Sequence, residues 1–168
     1  DTMVVFIYDK SFDGLLTAVF DAYSRKLFPD LLLGEGETLP LFYDECITVL
    51  TDGVRAGRVW KSLDTKLSSV ALTVLSPCWL AEQPGVDMVL FRYIRKTVDA
   101  PHSIEVNFAD PDVLFCSQLW KKVNQEKHRV IQFLRFQKTA DGIFFAGMEP
   151  MYDVIPFTIG HFKDRFAD

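Results

Sequence analysis

The spacing of apolar and polar positions changes several times along the chain, and each change marks an element. Residues 3–9, MVVFIYD, are an unbroken β-branched and aromatic run, the pattern of a buried strand. Ser11 then offers a helix N-cap, and Asp13 suits the positive end of a helix dipole. Leu15, Leu16, Val19, Phe20, Tyr23 and Leu27 follow at spacings of three and four, which predicts one apolar face of a helix ending near Pro29. Residues 33–40, LGEGETLP, read as a loop, and residues 45–51, ECITVLT, as a second strand. Asp52 can cap a helix running to about Leu63, with Val59, Trp60 and Leu63 facing inward. Gly57 weakens that helix by about 1 kcal/mol relative to Ala and so predicts close helix packing there.

Residues 66–81 predict a mostly apolar helix ending around Ser76-Pro77, and residues 86–98 another. In FADPDV, Asp110 is an N-cap, Pro111 the first helical residue and Asp112 a first-turn acid. Val113, Cys116, Trp120 and Val123 give the inner stripe of the helix that follows. HRVIQFLRFQK, residues 128–138, then reads as a strand, rich in aromatic and β-branched residues. The Asp-Gly of TADG, residues 139–142, is a hairpin turn signal, and IFFAGMEP reads as the return strand. Pro156 opens a short closing helix with Ile159, Phe162 and Phe166 inward. The expected fold class is α+β: one domain over residues 1–168, with a small antiparallel or mixed sheet. That sheet is built from the N-terminal strand, the second strand and the C-terminal hairpin, with a helical middle packed on one face.

Composition narrows the class. Aromatics make up 14% of the chain and hydrophobic residues 49%, which supports a real core and excludes a disordered chain. The longest apolar stretch, within residues 67–81, carries Ser, Thr and Pro and is too short for a bilayer span, so no membrane is expected. Cys46, Cys78 and Cys116 are scattered, with no CxxC pair, which predicts reduced thiols in a cytoplasm. His102, His128 and His161 are as dispersed, so neither a metal site nor a cofactor signature is read.

The formal net charge of −5 argues against a wholly basic nucleic-acid binder. Its distribution is uneven: residues 1–50 carry nine acids and three bases, residues 51–135 nine acids and twelve bases, residues 136–168 five acids and three bases. Within the basic middle, Arg55 and Arg58, then Arg92, Arg95 and Lys96, share helix faces. Lys121 with Lys122 and Lys127 with Arg129 add adjacent like charges. Such faces fit a phosphate backbone, or equally a solvated surface paired with internal acids. On the expected strand, Arg129, Ile131, Phe133 and Arg135 share one side, where aromatics interleaved with arginine can stack bases; simple burial is the plainer account. QPGVDMV, residues 83–89, resembles the turn of helix-hairpin-helix DNA-binding elements, but Asp87 stands where a second glycine belongs. Asp9, at the end of the first strand, is the best-placed lone carboxylate for chemistry, or else a turn acceptor. In HFKDRF, His161 and Arg165 are i, i+4 neighbours able to face a phosphate while Phe162 and Phe166 anchor the helix.

Several blocks together resemble a bacterial family described as DNA modification/repair or DNA-metabolism proteins, a domain of unknown function. They are VFIYDKSFDGLLTAVFDAY, TDGVRAGRVWKSL, VLFRYIRK and RFQKTADGIFFAGMEPMYDVIPFTIGHFKDRF, spread over nearly the whole chain. The resemblance implies a radical SAM protein encoded alongside as partner, and related domains fused to modules like uracil-DNA glycosylase. It implies no established reaction and no catalytic residue. It also implies that Met3 stands at the family's usual start and that the family pattern continues past Asp168 with another aromatic segment. The leading expectation is a DNA metabolism or repair accessory protein. It would act with the radical SAM partner and hold DNA through the basic helix faces. Two alternatives remain: an enzyme acting on a modified nucleobase, with Asp9 and His161 as candidates, or a protein-interaction module docking the radical SAM protein.

Overall fold

The computed structural model describes residues 2–141. Their order is β1 (Val4–Tyr8), α1 (Phe12–Arg25), β2 (Leu31–Gly34), β3 (Glu45–Thr48), α2 (Gly53–Lys66), α3 (Ser69–Leu80), α4 (Val86–Asp99) and α5 (Pro111–Asp141). The three strands form one sheet in the order β2-β1-β3. Both pairings are parallel, with Val5 opposite Leu31 on one side and Cys46 on the other. This corrects the antiparallel or mixed sheet expected from the sequence. The reason lies in β1 itself. Val4, Val5 and Phe6 are consecutive and all buried, and consecutive side chains point to opposite faces, so both faces of the strand are covered. A continuous apolar run of that kind belongs to a parallel sheet sheathed on both faces, and α1 supplies the crossover that parallel strands need.

The first helix forms as its pattern predicts. Ser11 caps it, its side chain accepting from the Gly14 amide at 2.9 Å, and Leu15, Leu16, Ala18, Val19 and Ala22 are buried. Asp52 caps α2 through the amides of Val54 and Arg55 at 2.9 and 3.1 Å. Gly57 faces open space, so it permits no close packing. α3 does not stop at Pro77: the Ala81 amide still donates to the Pro77 carbonyl at 3.0 Å. β2 begins at Leu31, in residues given no element from the sequence, and runs into Leu33 and Gly34 of the segment read as a loop; its second leucine, Leu32, is buried.

The expected C-terminal hairpin is also overturned. Residues 128–138 continue α5, which runs to Asp141. Asp110 starts that helix, accepting from the amides of Asp112 and Val113. From Asp112 to Asp141 there is neither glycine nor proline to stop it. Once a helix is nucleated each further residue adds a bond at little cost, so propagation outweighs the modest strand preference of VIQF. Val130 is buried, while Phe133 and Phe136 are 42% and 66% exposed. The return strand, the closing helix and the residues His161, Phe162, Arg165 and Phe166 lie outside the described residues.

The core joins the sheet to the helices: Phe6, Tyr8, Leu15, Leu63, Leu75, Leu90 and Phe91 are all essentially inaccessible. Phe12, at the first position of α1, meets Trp60 of α2 and Trp79 of α3 edge-on at 6.4 and 6.2 Å. Among the described residues no helix is long and apolar enough to cross a membrane.

Candidate functional site

The strand order places a reversal beside β1. The chain leaves β1 through α1 toward β2, then returns past it to β3. The carboxyl ends of β1 and β3 therefore lie side by side, and each continues into the N-terminal turn of a helix. Asp9 follows β1, and Thr51 and Asp52 lie just beyond β3.

Asp9 is the centre of this junction. Its Oδ1 accepts from the Ser11 hydroxyl at 2.5 Å and the Ser11 amide at 3.0 Å, and its Oδ2 from the Thr51 hydroxyl at 2.7 Å. Partial burial works against its charge, but these donors outweigh that and hold the carboxyl below the usual carboxylate range. Gly14 lets the first turn of α1 come this close: a Cβ there would sit 2.4 Å from Asp9 Oδ1 and 3.0 Å from Thr51 Oγ1. Thr17 ties the two helix starts together. Its hydroxyl donates to the carbonyl of Asp13 at 2.7 Å and accepts from the Asp52 amide at 3.2 Å. Asp9 is thus ionised, oriented and still solvent-accessible, suited to accept hydrogen bonds from a ligand or to position a water.

A second polar cluster lies on the other side of β1. Buried Tyr8 donates to Asp87 Oδ2 at 2.6 Å, and Lys10 Nζ donates to the same oxygen at 2.8 Å. The Trp79 indole N–H donates to the Tyr8 hydroxyl at 3.3 Å. Burial, then the bond to Asp87, drive the Tyr8 pKa far up, so the phenol stays neutral.

Five of the basic residues singled out in the sequence stand beside carboxylates. Arg92 forks onto Asp112 at 3.0–3.2 Å. Lys96 bridges Asp110 and Asp112, both at 2.8 Å. Arg55 bonds Asp21 at 3.0 Å and lies over the Phe20 ring. Arg95 stacks on Phe28 at 3.6 Å and lies 3.8 Å from Asp99. Arg129 pairs with Glu126. Arg58, Lys121, Lys122 and Arg135 are exposed on α2 and α5, and Arg129 and Arg135 sit on a helix rather than on a strand face. Arg92 and Lys96 converge on one acidic pair at the start of α5.

Cys78 and Cys116 are poor nucleophiles: burial pushes the first thiol far up and the second up to about 12. All three cysteines are free. Among the described residues no group of three His, Cys, Asp or Glu side chains could hold a metal ion.

Sequence reasoning reached Asp9 but read Ser11 and Asp52 only as caps and passed over Thr51, Tyr8 and Asp87 as site residues. The available signal was the repetition of one arrangement, a strand closing on an acid-and-hydroxyl turn before a helix, at YDKS and at LTD. No curated protein and no solved structure matches the chain. The model of a family described as a domain of unknown function, DUF4130, matches residues 84–168, which is 85 of the 168 residues and takes in α4 and α5. The chain belongs to this DUF4130 family.

Proposed function

We propose that the chain serves DNA metabolism and receives a base or nucleotide at the junction of the carboxyl ends of β1 and β3, where Asp9 accepts hydrogen bonds from it. The observation that carries this is the order β2-β1-β3 in a parallel sheet. In open sheets of this type ligands enter where successive connections leave the strands in opposite directions. The residues at that point are a fixed carboxylate and two hydroxyls rather than an apolar seam. A carboxylate held below its usual range is a weak proton acceptor near neutrality, so its role is to orient a substrate N–H or O–H, or a water. The resemblance of the sequence blocks to DNA-metabolism proteins supports nucleic acid as the substrate class and a radical SAM protein as the partner. In this reading Arg58, Lys121 and Lys122 supply phosphate contacts. Arg92 and Lys96 would first have to release Asp110 and Asp112.

The test is fluorescence anisotropy of the full chain with labelled single-stranded and duplex DNA across a salt series. Asp9→Asn and Thr51→Val are expected to weaken binding about tenfold at fixed salt without changing the salt slope. Lys121→Ala with Lys122→Ala is expected to flatten the slope by about two phosphate contacts at most. Unchanged affinity in Asp9→Asn, with the fold intact, overturns the reading.

A further inference from the structure

We propose that the cleft between β2 and the α3–α4 turn binds a small organic cation with an apolar body. The cleft has a volume of about 620 Å³, in the range of small-ligand sites. Leu31 and Leu33 of β2, with Trp79 and Met88, give it apolar surface. Its charged lining is one cation, Lys10, against three carboxylates, Glu37, Glu82 and Asp87.

Lys10 is already committed. Its ammonium lies 2.8 Å from Asp87 Oδ2 and 3.4 Å from Glu37 Oε1. Asp87 Oδ2 also receives the Tyr8 hydroxyl, whereas its Oδ1 accepts no hydrogen bond among the described residues. Glu82 makes no ion pair among them either. The surplus charge is therefore negative, and the positive end of α4 is already answered by Asp87 in its first turn. A phosphate would meet this surplus and be repelled, so the ligand class differs from that proposed at the Asp9 junction and the inference does not rest on that reading.

Backbone turns shape the rim of the cleft. Lys10 has φ 60°, Glu82 φ 54° and Gly85 φ 78°, and all three border the cleft. Left-handed conformations cost energy for residues with a Cβ, and Glu82 adopts one just past the end of α3, where it turns the chain toward α4. Of the three such residues among those described, two are here. Gly34 contributes a close approach: a Cβ there would meet Lys10 Cγ at 2.5 Å, so the glycine lets the lysine chain lie across the end of β2 toward Asp87. The result is one tethered ammonium, excess carboxylate, and aromatic and aliphatic surface beside it. An amidinium or ammonium on a ring matches both parts, with N–H donors to the carboxylates and its body on Trp79 or Leu33.

The test uses benzamidine and its neutral isostere benzamide, titrated into the full chain by calorimetry and by NMR of the Trp79 indole N–H. Benzamidine is expected to bind saturably and shift the Trp79 signal, and benzamide to bind about tenfold more weakly. Glu37→Gln with Glu82→Gln, two exposed positions, is expected to weaken benzamidine about tenfold while leaving the melting temperature in place. Asp87→Asn is the stronger perturbation but also touches Tyr8, so the glutamate pair carries the decision. Equal binding of benzamide, full affinity in the glutamate pair, or an unmoved Trp79 signal overturns the proposal. DNA anisotropy of the same variants reports separately on the Asp9 junction.

Discussion

Replacing Tyr8 by Phe removes one oxygen from the centre of the molecule and leaves its shape unchanged. Tyr8 is 0% exposed. Its hydroxyl donates to a carboxylate at 2.6 Å and accepts from Trp79 at 3.3 Å. A hydrogen bond to a charged partner contributes about 1.5–3 kcal/mol. The long indole bond adds little, because Trp79 is only partly buried and water can reach it. Asp87 keeps Lys10, so no carboxylate is left isolated. The expected loss at neutral pH is therefore about 1.5–3 kcal/mol, well short of the cavity penalty of about 3–5 kcal/mol for deleting a buried ring. Raising the pH supplies a second reading with a definite sign. Burial and the Asp87 bond raise the folded-state pKa of Tyr8 above its ordinary 10.0. The unfolded chain then loses its proton first, so the stability from this group is complete below pH 10 and falls by about 1.4 kcal/mol per pH unit above it. The Tyr8→Phe variant has no such loss. Tyr23 and Tyr93 are raised as well, but they titrate in both proteins and cancel in the difference. Urea unfolding of both chains at pH 7, 9, 10.5 and 11.5 should show the wild-type advantage shrinking above pH 10 and vanishing within about two units. An advantage that stays constant or grows above pH 10 would refute the buried, carboxylate-bonded phenol.

Two further outcomes follow from single contacts. Gly14→Ala ought to gain about 1 kcal/mol of helix propensity, yet its methyl would meet Asp9 at 2.4 Å, so a lower melting temperature is expected, and a higher one would show that Asp9 does not close on α1. Burial opposes the charge of Asp112, but Arg92 and Lys96 outweigh it and hold its pKa below 3.8. Its stabilisation is thus present above that value and lost as pH falls through the lower folded value. Asp112→Asn should cost about 1–2 kcal/mol at pH 7, a figure reduced because Arg92 and Lys96 are themselves well exposed, and it should make the acid limb of stability shallower in urea titrations between pH 2.5 and 6.

Local signals were legible where one segment decides the outcome. β1, the capped start of α1, the Asp52 and Asp110 caps and the spans of α2 and α4 all follow from patterns a few residues long. The direction of the sheet does not, because it depends on where α1 returns the chain. The unbroken apolar run of MVVFIYD was the clue to a strand covered on both faces, and an alternating run would have suited a half-exposed antiparallel one. β2 was hidden for a different reason: LLLG is four residues between Pro29-Asp30 and a glycine turn, too short to show any period. At residues 128–138 the opposite error arose. Composition favoured a strand, but the segment inherits its conformation from a helix nucleated at Pro111, some twenty residues earlier. The Asp9 junction joins Thr51 across 42 residues, and Tyr8 meets Asp87 across 79, separations over which no local pattern carries information.

Charge shows most clearly how sequence and surface part company. The middle of the chain carries three more bases than acids. Three of its arginines and a lysine nonetheless stand against buried carboxylates: Arg55 against Asp21 of the acidic first segment, Arg92 and Lys96 against Asp112 at the start of α5, and Arg129 against Glu126. The Asp-Pro-Asp that reads as a helix start is also the anchor for the two cations of α4, fourteen to twenty residues earlier. An anion approaching α4 meets cations whose field is already largely cancelled, and at physiological salt such screened pairs attract little beyond about 8 Å. Arg58, Lys121 and Lys122 pair with no carboxylate among the described residues and remain exposed. If the chain holds a phosphate backbone, those three should dominate the salt slope and Arg92 and Lys96 should scarcely change it, so the ranking of the two sets separates surface charge from charge merely counted along the sequence.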